Sequence, residues 1–213
     1  ARDYRSILVN PRFQRLAASS AFNFSALFLY IASAPAFVMD ILGLNERQFG
    51  WFFVPMISGM MAGAWVSGRA AGRISGRRLV DIGFACSGVA IAANIAYNLF
   101  VDQPQVPWAV LPMVLNSFGI ALVFPIITLS ILDMYPRQRG AASSLQAFTS
   151  LVLNALIAGL LSPLLSHSAQ SLALGGAAFL AIGWAFWRWE RRRDRTPPRP
   201  VSGPPVIEPG EPL

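Results

Sequence analysis

Residues 140–187 read GAASSLQAFTSLVLNALIAGLLSPLLSHSAQSLALGGAAFLAIGWAFW, 48 positions without an Asp, Glu, Lys or Arg. Roughly 20 residues of α-helix, rising 1.5 Å each, cross the hydrocarbon layer of a bilayer. This run therefore holds two crossings. Working outward, 16–39, 48–68, 82–101 and 103–132 are equally free of charge. The first three fit one crossing each, and the fourth fits one long crossing with loop at its start. The spacing predicts six spans, at about 16–39, 49–68, 80–101, 107–132, 141–164 and 170–188.

The rest of the composition agrees. The chain of 213 residues is 54% hydrophobic and 13% charged, with a mean hydropathy of +0.50. Soluble domains carry about 25% charged residues. The net charge of +7 comes entirely from arginine, since there is no lysine. Sixteen of the 17 arginines fall in the segments on one side of the six spans, which are 1–15, 69–79, 133–140 and the stretch from 188 onward. The segments 40–48, 102–106 and 165–169 hold only Arg47. Arg-rich short loops stay cytoplasmic, so both termini are expected in the cytoplasm. A lead-in (1–15) and a six-helix bundle (16–190) follow, then a Pro-rich tail (191–213) expected to be disordered. The first residue is Ala1 and there is no secretory h-region, which reads as a piece of a longer protein.

Several chemistries are excluded on this frame. The positive charge is a topology signal rather than a nucleic-acid footprint, so no nucleic-acid partner is expected. One Cys (Cys86) and one His (His167) cannot build a disulfide framework or a Cys/His metal cluster, and no cofactor is expected. The segment GRAAGRISGRR (68–78) has the glycines of a phosphate loop but neither the preceding strand nor a lysine. It reads instead as the link between spans two and three. Its glycines continue a small-residue series from Gly59, Gly63 and Ser67, the spacing that lets membrane helices approach closely. An intramembrane serine protease needs Gly-x-Ser-Gly and an in-membrane His. Neither is present, and no enzyme is expected.

Polar residues inside the spans need a partner or a wet cavity. Span five carries Ser143, Gln146, Ser150 and Asn154 on one helical face. Span one carries Asn23 and Tyr30, and span four carries Asn116, Ser117 and Thr128. Span three clusters Asn94, Tyr97 and Asn98. Each could equally bridge helices, worth about 0.6 kcal/mol per contact. No ionisable group lies mid-membrane, so a proton-driven exporter would have to carry its proton on a carboxylate elsewhere.

Three stretches resemble a known family. They are LYIASAP (29–35) with Phe49-Gly50, GRISGRR (72–78), and IITLSILDMYPRQRGAASSLQAF (126–148). The sequence is similar to the C-terminal half of a major facilitator superfamily transporter, in particular the Bcr/CflA drug-efflux subfamily. The resemblance implies an all-α membrane protein, six transmembrane helices arranged as two inverted three-helix repeats. It implies a cytoplasmic gate loop at Arg73, Gly76, Arg77 and Arg78, although the acidic position of the family signature is neutral here, at Ala71 or Gly72. Spans one, two, four and five would surround a cavity, giving Asn23, Tyr30, Asn116, Gln146, Ser150 and Asn154 as substrate-binding residues. The implied activity is drug-resistance efflux by a proton antiporter in the bacterial inner membrane. Its partners would be the lipid bilayer, a small amphipathic substrate, an N-terminal six-helix half, and protons carried through that half. The alternative is a self-contained six-span channel or carrier acting as a homodimer.

Overall fold

The computed structural model describes residues 2–101 and 103–194. The Pro-rich tail lies outside the described residues from 195 onward. Among the described residues every regular element is helical. The helices are α1 (Arg2–Val9), α2 (Pro11–Ala32), α3 (Gly50–Ala70), α4 (Gly76–Phe100), α5 (Leu111–Met134), α6 (Arg139–Leu156), α7 (Ser162–Leu165) and α8 (Ala169–Asp194). A π-helical turn, Ala36–Ile41, follows α2, and another, Ile157–Leu161, joins α6 to α7 into one continuous crossing. Six helical stretches are long and apolar enough to cross a membrane: α2, α3, α4, α5, α6 with α7, and α8.

Local sequence sets the helix starts. Asn10 caps α2, its Oδ1 accepting from the Arg12 amide at 2.9 Å, with Pro11 in the first helical position where a missing N–H costs nothing. Ser75 caps α4 by accepting from the Arg78 amide. Asn45 and Gln48 form a reciprocal capping box before α3. α2 starts five residues before the charge-free run, and α8 continues to Asp194. Charge pairing explains both extensions. Glu190 accepts from Arg15 Nε at 2.7 Å and from Arg12 Nε at 2.9 Å, and only 3% of Glu190 and 8% of Arg15 is exposed. Asp81 on α4 is held by Arg191 and by Trp187 Nε1 at 2.8 Å, both on α8. These contacts tie α2, α4 and α8 together at the Arg-rich end.

The closest packings run between the triplet α2–α3–α4 and the triplet α5–α6/α7–α8. α2 lies along α8, and α5 lies along α4. α2 also meets α6, as α5 meets α3. The two first helices pack on each other. Three crossings is an odd number, so the second triplet enters from the opposite face, and this pairing is that of two inverted repeats. The loops sort accordingly. Asp40–Gly43, the residues Asn98, Val101 and Gln103–Gln105, and His167–Gln170 border one polar depression at one end. At the other end the Tyr135 hydroxyl accepts from Asn10 Nδ2 at 2.7 Å.

Small residues allow these approaches. A Cβ on Gly59 would lie 2.3 Å from the Val114 carbonyl oxygen, and one on Gly63 would lie 2.5 Å from that of Phe118. Gly83 and Gly119 face each other where α4 crosses α5, each in contact with the other's carbonyl oxygen. Gly59 and Gly63 thus lie at the α3–α5 contact, a close approach of the kind their spacing predicted, whereas Gly68 and Gly72 further along the series meet no neighbour.

Two outcomes follow. Gly119→Leu forces a side chain into backbone at the α4–α5 crossing and should cost about 1–3 kcal/mol or more. Gly68→Ala, whose Cβ meets open space, should stay within about 0.5 kcal/mol of the parent. Thermal unfolding in detergent distinguishes them. Glu190→Gln strands Arg15 as a buried, half-paired cation and should cost about 3–5 kcal/mol in the same assay.

Candidate functional site: an apolar cleft with one polar wall

A cleft of about 680 Å³ opens between α2, α3, α5 and α6. These are the spans that the family resemblance implied around a cavity. Three of its walls are apolar or aromatic: Phe24 from α2, Met60 and Ala64 from α3, and Ile120, Ala121, Phe124 and Pro125 from α5. Phe24 sits 6.5 Å from Phe124, centroid to centroid, and 6.1 Å from Phe28, so an aromatic group spans the α2–α5 seam. Pro125 lies inside α5 and has no N–H to give to Ala121, which weakens the helix at the cleft.

The fourth wall carries the polar side chains, set among Ala147 and Leu151. α6 presents Ser143, Gln146, Ser150 and Asn154, and α5 adds Thr128. Their spacing of three and four residues places the α6 set on one face. Gln146 is fixed: its Nε2 donates to Thr128 Oγ1 at 2.9 Å and to Ser20 Oγ at 3.3 Å, tying α6 to α5 and α2. Ser143 turns back on its own helix, donating to the Gly140 carbonyl at 3.0 Å. Ser150 and Asn154 differ from both. Ser150 Oγ and Asn154 Oδ1 are buried and have no partner in the protein. A buried polar atom left unpaired costs about 1–3 kcal/mol, and both of these belong to residues that border the cleft. Neither Asp, Glu, His, Lys nor Arg is among the residues lining the cleft. Such a site selects by shape, apolar contact and a few hydrogen bonds.

Of the six residues proposed from sequence, the structure brings Gln146, Ser150 and Asn154 together in the cleft. It sets Tyr30, Asn23 and Asn116 apart from it. Only 2% of Tyr30 is exposed. Its hydroxyl accepts from Asn94 Nδ2 at 2.6 Å, and its ring meets Phe37 edge-on at 5.4 Å. Asn94 continues the network to Asn98 Nδ2, which also donates to the Ala169 carbonyl. Tyr30 therefore bridges α2 to α4 in the bundle interior. Asn23 and Asn116 are fully buried there too, with unpartnered amide groups, while the Asn116 backbone carbonyl accepts from Ser87 Oγ at 3.5 Å. The reason is rotational. On α2 the series Ser19–Asn23–Ala26–Tyr30 faces α8 and α4, whereas Ser20 and Phe24, one position on, face α6 and the cleft.

The expected gate loop is a short turn. Gly72 takes φ +79°, Ser75 starts α4, and Arg73, Gly76, Arg77 and Arg78 surround that turn at the Arg-rich end. Arg69 lies over the Trp65 ring at 4.2 Å. The pairings of Arg12 and Arg15 with Glu190, and of Asp81 with Arg191, escaped the sequence reading. Each residue sits at a span edge, where a charge needs no partner to be explained.

Comparison with known proteins agrees with this architecture. Over 125 residues the chain is 34% identical to the "Multidrug transporter MdfA" of Edwardsiella ictaluri, covering 57% of this chain and 29% of that protein. Over 124 residues it is 28% identical to the "Multidrug resistance protein MdtM" of Escherichia coli O157:H7, and 25% identical to that of Salmonella typhimurium, in each case 58% of this chain and 30% of the relative. The matched segment thus spans under a third of each relative's length. Residues 16–210 match the Major Facilitator Superfamily as a whole, and the chain belongs to that family.

Proposed function

We propose that this chain forms one six-helix half of a multidrug efflux transporter of the Bcr/CflA type, resident in the bacterial inner membrane, and that its cleft is part of the substrate cavity. The observation that carries the reading is that Ser150 Oγ and Asn154 Oδ1, buried and unpartnered, belong to side chains bordering a cleft whose other walls are aromatic and aliphatic. A small amphipathic compound supplies the apolar body for Phe24, Phe124 and Met60 and a polar group for the α6 wall. Gln146 positions that wall rather than offering free donors.

The least buried membrane helices support a partner half. Only 11% of the α6–α7 window and 22% of the α3 window is covered within the chain. Trp51, Val54, Ile57 and Met61 on α3, and Leu151, Leu156 and Leu160 along the α6 crossing, are exposed. Helices that flank a cleft and bare their outer faces are suited to a second bundle that closes the cavity by rocking. No carboxylate lines this wall, so the proton-carrying acid of an antiporter belongs to the other half. The Arg-rich end is the cytoplasmic one, by the charge asymmetry of the loops.

In the full-length protein, Asn154→Ala and Ser150→Ala should shift resistance by roughly two- to tenfold for compounds with a hydrogen-bonding group, the range of one such bond. Resistance to compounds without a hydrogen-bonding group and membrane abundance should hold. Tyr30→Ala should instead lower abundance and all resistances together. A uniform loss in the α6 variants that tracks abundance removes them from the substrate site.

Orientation is testable separately. Single cysteines at Glu46 and Ile74, both exposed and neither a helix cap, are placed in a Cys86→Ser background. An impermeant maleimide should label position 46 in intact cells and position 74 only after permeabilisation. The opposite pattern would invert the topology.

A further inference from the structure

On the flank away from the cleft, α4 and α8 leave a groove of about 260 Å³. Phe84, Gly88 and Ile91 of α4 and Ala177, Ala181 and Trp184 of α8 border it. Gly88 keeps it open, because a Cβ there would meet no atom within 4 Å. At its Arg-rich end the Trp184 ring carries the Arg188 guanidinium, 5.1 Å from the ring centroid. Both side chains are exposed. We infer that this groove is a binding site for an anionic phospholipid, one acyl chain lying between α4 and α8 and the phosphate resting on Arg188.

The chemistry of the two ends assigns the occupant. An apolar slot at membrane depth is filled by lipid tails, but a tail gains little there, since neighbouring tails are as apolar as the slot. Retention of one lipid class must come from the headgroup end. Arg188 is a planar, permanent cation that matches a phosphate with two parallel hydrogen bonds, and its stacking on Trp184 fixes it at the interface, where Trp and Arg settle. The acid closest in sequence to the α4 wall, Asp81, does not oppose an anion: Arg191 and Trp187 already occupy its two oxygens. Arg192, one turn beyond Arg188 on the same helical face, is also exposed and extends the positive surface. A free phosphate would have no use for the slot, and a zwitterionic lipid would place its own ammonium against the same arginines.

The test uses the full-length protein in detergent, probed with phosphatidylglycerol, with phosphatidylethanolamine and with inorganic phosphate. Native mass spectrometry should show phosphatidylglycerol retained several-fold over phosphatidylethanolamine. Arg188→Gln should abolish that preference. Gly88→Leu, which fills the slot in open space, should reduce retention of both lipids. Equal retention of the two lipids by the parent, unchanged retention in both variants, or displacement of phosphatidylglycerol by millimolar inorganic phosphate would each overturn the assignment. Where a variant fails to fold, quenching by lipids with brominated acyl chains decides, taken as the difference between the parent and Trp184→Phe. Stronger quenching by brominated phosphatidylglycerol than by its ethanolamine counterpart supports the site, and equal quenching overturns it.

Discussion

A polar group inside the hydrocarbon layer has no water to turn to, and that constraint shapes every level of this structure. It forces the backbone into helices that satisfy their own N–H and C=O groups. It also denies those helices the usual hydrophobic reason to associate, because lipid is as apolar as leucine. What remains is close contact and hydrogen bonding. Gly59, Gly63, Gly83 and Gly119 bring backbones within touching distance, and Tyr30–Asn94 and Gln146–Thr128 bond across helices. At the membrane edge, where water begins, charges take over, and Glu190 with Arg12 and Arg15 closes α2 onto α8.

The same constraint divides the polar residues into two kinds. Gln146, Asn94 and Tyr30 spend their hydrogen bonds within the protein and hold the bundle in shape. Ser150 and Asn154 keep theirs unspent on the wall of a cleft. Asn23 and Asn116 are also unpaired, yet they lie inside the bundle, apart from the residues that border the cleft. Burial alone therefore does not mark a ligand contact. What separates Ser150 and Asn154 is position, since their side chains border the cleft and those of Asn23 and Asn116 do not.

The six crossings, their order and their alternation were legible in the sequence, because absence of charge over about 20 residues is a one-dimensional signal. The polar face of α6 was legible too, because Ser143, Gln146, Ser150 and Asn154 recur at spacings of three and four. The rotation of α2 was not. Asn23 and Tyr30, seven apart, do share a face, but their spacing says nothing about which neighbour that face meets. On a helix whose both sides are buried, one against α8 and the other against α6, hydropathy does not separate them. The charge pairs were hidden for a similar reason. Glu190 sits in the run ERRRD, where nothing in the order of residues shows that its partners are Arg12 and Arg15.

The pairing of first helix with last has a consequence in time. The Arg15–Glu190 contact joins residues 175 positions apart. Ribosomes add about 5–20 residues per second, so α2 waits roughly 10–35 seconds in the bilayer before its main neighbour exists. Throughout that interval Ser19 and Asn23 lack the α8 surface that later covers them, whereas Tyr30 waits only for Asn94 of α4, 64 residues on. α2 has a mean hydropathy of 1.2 in its most apolar window, against 2.1 for α5. The helix least at home in lipid is thus made first among the six and sheltered last. Its nascent stage is where assembly of this bundle is most exposed to quality-control proteases and to insertion chaperones.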